Sequence, residues 1–191
     1  MIKINRPPCP NPAALRSNYK DPENKGALKD ASCGKCMYCE SKVTHIDFGD
    51  VEHIKPKFKY PELEFAWSNL GFVCSKCNNS KGKKYDETTP YINPYEEDPD
   101  DYVVAFGSVL WPYQQNERGQ LTIDDIQLNR TDLIERRKER LASITKYIGA
   151  WQGTRNEFLK RIALQELKDE CCEDKEYSLF VRAFLKLHDI I

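Results

Sequence analysis

Two CxxC pairs constrain the folding of this chain more than any other feature of its sequence. Cys36 and Cys39 form the first pair, and Cys74 and Cys77 form the second. Two intervening residues let both thiolates of a pair reach one tetrahedral ion, at about 2.3 Å from each sulfur when the ion is zinc. The four thiolates therefore predict a structural zinc that joins two segments distant in the chain.

The remaining cysteines leave alternatives open. The chain has eight cysteines, an even number that disulfides would also allow, but paired CxxC spacing in a reducing compartment favours metal. Cys33 stands three residues before Cys36 and could replace one ligand of the first pair. Cys9, Cys171 and Cys172 are interpreted as free or core thiols.

Charge and hydropathy limit the classes of function. The formal net charge of -1 over 191 residues argues against a bulk electrostatic attraction to nucleic acid but not against a local one. The N-terminus lacks an apolar run of signal-peptide length, and no 18-residue apolar stretch follows. We therefore expect a cytoplasmic protein without a membrane segment.

The chain divides into four predicted zones. Residues 1–32 form a Pro-rich extended arm that ends in one short helix near "NKGALKDAS". Residues 33–84 hold both CxxC pairs and most turn glycines. Residues 85–123 are irregular and acidic, with a hairpin predicted from "YVVAFGSVLWP" and "RGQLTID". Residues 124–191 form a helical region.

Two helical patterns define that last zone. The apolar residues of the first pattern recur at spacings of three and four, interrupted by Arg137. Thr154 and Glu157 predict a capping box for the helix that follows. A final amphipathic face includes Tyr177 and Phe180. We interpret the region as a small helical bundle packed on the centre, with a face that docks a partner protein as the alternative.

A carboxylate–histidine pair lies between the two cysteine pairs, in the string "DVEHIKP". Val51 and Ile54 are apolar positions in a predicted strand, and Pro56 ends it. A lone histidine in such a run is usually structural, but Glu52 directly precedes His53. Adjacent residues of a strand point to opposite sides, so a site that uses both requires a bend or the special geometry of a strand end.

The string and its surroundings resemble the motif of the HNH, or ββα-metal, endonucleases. That motif has an acidic residue or His before a His, then Ile-x-Pro, then Asn-Leu, then a metal ligand on a helix, often with flanking CxxC pairs. His53, Asn69 and Asn78 stand at its three named positions, and the match covers about residues 33–84. The resemblance implies an α+β fold: a zinc-clipped ββα-metal core with an N-terminal extended arm and a C-terminal helical region.

Roles follow from the resemblance and from the chemistry of the residues. His53 is the expected general base, because imidazole titrates near the working pH. Glu52 and Asn78 are expected to hold a catalytic Mg²⁺ or Mn²⁺ through oxygen, separate from the structural zinc. The resemblance gives Asn69 the role of orienting the loop that carries the base. Asp50 is a further metal ligand, a partner of one, or a solvated surface residue.

A local basic patch surrounds these residues. Residues 50–84 contain seven lysines and four acidic residues, a net charge of +3, whereas residues 85–101 carry -7. Lysines of this kind contact phosphate without reading the base sequence, and the alternative is that they form a solvated face. No base-reading motif is visible, so we predict low sequence specificity. His45 is interpreted as a surface residue, or as a substrate contact. The predicted phosphate contacts are Lys55, Lys57, Lys76, Lys81 and Lys83.

A narrower resemblance extends to about residue 137. The strings "CMYCE", "WSNL", "CNNSKG", "INPYEEDP" and "LTIDDIQLNRTDLIERR" are similar to the retron-associated HNH proteins, a group that includes the nuclease subunits of Septu antiphage defence. It implies a metal-dependent endonuclease for nucleic acid (DNA favoured, RNA as the alternative) that works with an ATPase subunit of the PtuA type. A restriction or homing nuclease and a non-catalytic zinc module that binds nucleic acid are the alternatives.

Overall fold

The computed structural model describes residues 1–43 and 48–191, and His45 lies outside the described residues. These residues form seven α-helices and two two-stranded antiparallel sheets, which confirms the predicted α+β class. The helices are α1 (Pro12–Leu15), α2 (Pro22–Ala31), α3 (Ser75–Lys81), α4 (Glu117–Asp125), α5 (Thr131–Gly153), α6 (Glu157–Asp169) and α7 (Ser178–Leu187). The strands are β1 (Asp50–His53), β2 (Leu70–Val73), β3 (Val103–Phe106) and β4 (Val109–Pro112).

The centre of the molecule is a ββα unit made by β1, β2 and α3. Glu52 pairs with Gly71, and His53 pairs with Leu70. A Cβ at Gly71 would lie 2.2 Å from the sulfur of Met37, so a larger residue here would require the Met37 side chain to move. The Met37 amide donates to the Phe72 carbonyl at 3.0 Å. The first CxxC pair thus packs directly on β2, and the second pair lies beside it, with Cys74 just before α3 and Cys77 on the helix.

The N-terminal arm fixes the chain that enters β2. The Arg6 guanidinium donates to the carbonyl oxygens of Trp67 and Leu70, both at 2.7 Å, and lies 4.0 Å from the centroid of the Tyr95 ring. The Ile4 amide donates to a carbonyl of the irregular segment at 2.8 Å. Helix α2 occupies the stretch predicted to be helical.

The predicted hairpin is only half right. Strands β3 and β4 pair with each other around Gly107, whose φ of +56° permits the tight turn, and both lie in the first predicted string. The second string, "RGQLTID", belongs to α4 instead of a strand. The Asn116 side chain accepts a hydrogen bond from the Gly119 amide at 3.0 Å, and this N-cap outweighs the β-branched residues that suggested a strand.

The last three helices form a bundle with its own apolar core. Ile144 and Ile148 of α5 pack against Leu167 of α6 and against Val181 and Leu185 of α7. The first half of α5 is buried against the central core instead. None of the helices in the described part of the chain combines the length and apolar character needed to cross a membrane.

The predicted capping box of α6 is wrong. The Asn156 side chain accepts hydrogen bonds from the amides of Phe158 and Leu159 at 3.0 and 3.2 Å, so Asn156 is the N-cap. Thr154 instead ends α5. An asparagine oxygen caps a helix as well as a threonine oxygen does, and it stands directly before the first helical residue.

Candidate active site

Four buried thiols form a compact cluster at the side of the ββα unit. The Sγ atoms of Cys36, Cys39, Cys74 and Cys77 all lie within 4.8 Å of one another. The 3.9 Å between Cys39 Sγ and Cys74 Sγ matches the roughly 3.8 Å edge of a tetrahedron with zinc–sulfur bonds of about 2.3 Å. Cys33 is exposed and lies outside the cluster. The donor set therefore fits one zinc ion, bound by the two predicted pairs.

Two arginines of the C-terminal region face this cluster. Arg130, which directly precedes α5, places Nη1 at 3.4 Å from Cys77 Sγ. Arg137 is fully buried with its guanidinium 4.2 Å from the centroid of the Phe180 ring. Burial lowers the pKa of Arg137 to about 10, and the negative charge at Cys39 acts in the opposite direction. Four thiolates around a divalent ion would carry a net charge of -2, and Arg130, which also pairs with Asp132 at 3.1 Å, is the cation in direct contact with one of the sulfurs.

His53 is the last residue of β1, and its ring is held from two sides. Its Nε2 lies 2.9 Å from the Glu64 carbonyl oxygen, and the Tyr19 ring contacts it edge-on at 4.5 Å between centroids. A carbonyl only accepts, so Nε2 carries the proton and Nδ1 carries the free lone pair. Burial lowers the pKa of His53 below 6.5, and the charges of Lys57 and Lys81 act in the same direction. This shift favours the neutral imidazole over the imidazolium.

Glu52 shares an open cleft of about 440 Å³ with His53. Strand alternation would separate the two side chains, but β1 ends at His53, and both border the same cleft. The Lys81 ammonium donates to the Glu52 carboxylate and, at 2.8 Å, to the His53 carbonyl oxygen. Burial raises the pKa of the Glu52 carboxyl, and the charge of Lys81 opposes that shift.

The position of Lys81 corrects one expectation from the sequence. Lys81 was expected to contact phosphate, but it is fully buried and its ammonium is bound within the protein. Asn78 and Lys81 are three residues apart on α3, so they share the helix face that meets β1. That spacing was the available signal for an internal role of Lys81.

Asn78 and Asp50 form the second contact between α3 and β1. The Asn78 Nδ2 donates to Asp50 Oδ2 at 3.2 Å, and Lys20 Nζ lies 4.0 Å from Asp50 Oδ1. Glu52 and Asn78 offer hard oxygen donors of the type that Mg²⁺ and Mn²⁺ prefer. Within the described residues, the four cysteines are the one group of three or more His, Cys, Asp or Glu side chains with metal-ligand spacing. Of the predicted residues Glu52, His53 and Asn78, Glu52 and His53 border the described cleft and Asn78 does not.

Asn69 fixes the loop that follows His53. Its Oδ1 accepts the Lys55 amide at 2.8 Å, and its Nδ2 donates to the carbonyls of Lys55 and Leu63 at 2.9 and 3.2 Å. Both ends of the buried amide are thus bound to backbone. This geometry suits a positioning residue.

The other predicted phosphate contacts separate into two groups. Lys57 and Lys83 border the cleft that holds His53. Lys55 borders a different cavity beside Asn69, and Lys76 pairs with Asp132 at 2.9 Å on another face. Two of the five predicted lysines therefore stand where a phosphate bound in the cleft would be.

Comparison with known proteins agrees with this geometry. Residues 36–84 match the family model described as HNH endonuclease. The matched segment contains the cysteine cluster, Glu52, His53, Asn69 and Asn78.

The individual relatives of the chain give a narrower comparison than the family model. The chain is 35% identical over 117 residues to Septu protein PtuB of Bacillus thuringiensis, an alignment that covers 61% of this chain and 45% of the relative. A Septu protein PtuB of Bacillus mycoides is 28% identical over 150 residues, with 62% and 51% covered. The "Retron Vc95 putative HNH endonuclease" of Vibrio cholerae is 28% identical over 140 residues, with 66% and 67% covered. The chain spans about half the length of the Septu relatives it matches.

Proposed function

We propose that this chain is a metal-dependent HNH endonuclease that hydrolyses phosphodiester bonds in nucleic acid, with DNA as the favoured substrate and low sequence specificity. The observation that carries the proposal is the hydrogen bond between His53 Nε2 and the Glu64 carbonyl. It makes Nδ1 the proton-accepting nitrogen of a neutral imidazole, in the same open cleft as the Glu52 carboxylate.

The residues divide the chemistry among them. His53 takes a proton from the attacking water, and Asn69 keeps the loop after His53 in place. Glu52 and Asn78 would hold Mg²⁺ or Mn²⁺, with Asp50 orienting the Asn78 amide. When bound, that cation neutralises charge on the phosphate and on the departing 3′ oxygen. The four cysteines would hold a structural zinc that keeps β1 and α3 together.

The relatives suggest the biological setting. Because two of them are Septu proteins, we propose that the chain is the nuclease effector of an antiphage defence system and acts with an ATPase subunit of the PtuA type. Helix α6 exposes Phe158, Leu159 and Ile162 on the bundle, and this apolar face is our candidate surface for that subunit. Phe158→Ser with Ile162→Ser should abolish co-purification with the ATPase and leave the folded chain intact. Undiminished complex formation would contradict the docking assignment.

The central experiment measures cleavage of supercoiled plasmid DNA and of a structured RNA by zinc-loaded wild type and by His53→Ala. Each protein is tested with added Mg²⁺ and after removal of Mg²⁺. We expect metal-dependent cutting of the plasmid that falls by about 10²- to 10⁴-fold in His53→Ala. Equal cutting by both proteins would contradict the role of His53. If neither protein cuts, with or without the ATPase, the non-catalytic binding module becomes the better interpretation.

A further inference from the structure

An exposed aromatic ring stands at the mouth of the catalytic cleft. Phe58 is 76% exposed, although burying a phenylalanine side chain stabilises a fold by about 1.5–3 kcal/mol. It borders the same cleft as Glu52 and His53. The amides of Lys59 and Tyr60 both donate to the Pro56 carbonyl at 2.9 Å, which closes a tight turn with Phe58 near its tip. The turn therefore keeps the ring out of the core.

Lysine ammonium groups lie close to this ring and to the neighbouring aromatic rings. Lys83 Nζ lies 4.6 Å from the centroid of the Phe58 ring, and Lys57 Nζ lies 4.5 Å from that of Tyr19, the residue packed on His53. Lys55 and Lys59 lie 5.5 and 5.6 Å from the Tyr60 ring. Aromatic faces interleaved with lysines are the arrangement by which proteins hold single-stranded nucleic acid, since bases stack on the rings while the ammonium groups contact phosphate.

We propose that Phe58 is a stacking platform for an unpaired nucleobase next to the scissile phosphate, so that the cleft prefers single-stranded or locally unpaired nucleic acid over an intact duplex. Lys83 approaches the ring, and the high exposure leaves ring surface for a base. In a duplex the base faces are already stacked on each other and cannot meet the ring. This proposal rests on the proposed nuclease function, because it takes the cleft to be the site that binds the substrate.

The test compares binding by full-length, zinc-loaded protein in a His53→Ala background, so that no substrate is cut. Fluorescence anisotropy measures affinity for a labelled single strand, for the matching blunt duplex, and for a single strand whose central nucleotides are abasic. Phe58→Leu keeps an apolar side chain without a π face, and Phe58→Trp restores one. Phe106→Ala is the matched control, since Phe106 is 75% exposed on the β3–β4 hairpin.

We expect Phe58→Leu to weaken single-strand binding by about tenfold, with Phe58→Trp near the parent and Phe106→Ala unchanged. Duplex affinity should change by less than about twofold, since a duplex offers no free base face. The abasic strand should bind the parent about tenfold more weakly, and Phe58→Leu should not distinguish it from the normal strand. Single-strand affinity that is equal in the parent and in Phe58→Leu would overturn the platform.

Failure of the platform is separable from failure of the nuclease assignment. Plasmid cutting by wild type that disappears in His53→Ala, together with Phe58-independent binding, would refute the platform alone. A parent protein that binds none of the three ligands would overturn the platform, and wild type that also cuts nothing would overturn the proposed function as well.

Discussion

The cysteine cluster and the His53 cleft use the same helix but are built on opposite plans. The cluster brings together four identical groups, all buried, with a closed tetrahedral geometry. The cleft combines a carboxylate, an imidazole and an ammonium group, and it is open to solvent. A site that only joins segments of the fold can exclude water and be fully coordinated. A cleft that is to admit water and phosphate remains open, and its buried carboxylate is paired with an internal cation such as Lys81.

The strongest way to test this contrast is to break the closed site. Cys74→Ser should prevent folding at ordinary temperature, because structural zinc contributes about 10–16 kcal/mol, comparable with the whole stability of a domain. Zinc content by mass spectrometry and the thermal melt by circular dichroism give the answer. Cys33→Ser is the matched control and should retain one zinc ion and the wild-type melting temperature. A Cys74→Ser protein with full zinc and an unchanged melt would contradict the assignment.

The second prediction concerns the internal partner of the open site. Lys81→Met should lower the free energy of unfolding by about 3–5 kcal/mol, since it leaves the buried Glu52 carboxylate without its counter-charge. Urea denaturation measures the loss. Lys83→Met removes an exposed lysine just beyond the end of α3 and should change stability by less than about 0.5 kcal/mol.

A double variant sharpens this prediction. Adding Glu52→Leu to Lys81→Met removes the unpaired charge, and an apolar replacement of a buried ion pair is often neutral. The double variant should therefore be more stable than Lys81→Met alone. Equal stability of the single and double variants would show that the ammonium acts on something other than Glu52.

The third prediction tests the arginine beside the closed site. Arg130→Gln should weaken zinc affinity by about 10- to 100-fold, the usual effect of losing a partner of a metal ligand. Competition with a coloured zinc chelator measures it. Arg136→Gln, on the exposed side of α5 where Arg136 pairs with Glu139 at 3.2 Å, serves as the control and should keep the wild-type affinity.

The smallest expected effect is a shift in pH dependence. The charge of Lys57 disfavours the imidazolium of His53, so Lys57→Met should raise the pKa of His53. In the proposed mechanism the neutral imidazole is the base, so we expect activity to fall as pH drops through that pKa, which burial lowers from its ordinary value of 6.5. The acidic limb of the profile should therefore move to higher pH in Lys57→Met.

The profile of kcat/KM against pH, with a ring-proton NMR titration of His53, measures this shift. Lys59→Met removes a charge from the same turn and serves as the control, since its ammonium lies over the Tyr60 ring. An unchanged limb in Lys57→Met would mean that the charge of Lys57 does not contribute to the pKa of His53.

The sequence motifs predicted the principal residues of both sites but not the residues, distant in the chain, that contact them. Spacing alone predicted the four-cysteine cluster, and the motif supplied Glu52, His53, Asn69 and Asn78. The contact of Arg130 with Cys77 joins residues 53 positions apart, and no spacing rule reaches that far. The packing of Tyr19 on His53 and the hydrogen bond of Lys81 to Glu52 were missed for the same reason.

The error at α4 has a different physical cause. The string "RGQLTID" has strand-like residues, but the Asn116 cap and the buried face of Gly119, Thr122 and Ile123 favour a helix. A Cβ at Gly119 would lie 2.2 Å from the Tyr102 carbonyl oxygen, so the helix also needs glycine where it touches the hairpin. Tertiary packing here decides between two local preferences that differ little.

The separation of Arg130 from the cysteines also has a consequence during synthesis. Arg130 follows Cys77 by 53 residues, an interval of roughly 3–10 s at a translation rate of about 5–20 residues per second. All four thiols therefore leave the ribosome before Arg130, the cation that contacts Cys77. We expect the nascent ββα unit to bind its metal ion first. Helix α5 then packs against a four-thiolate site that has already formed.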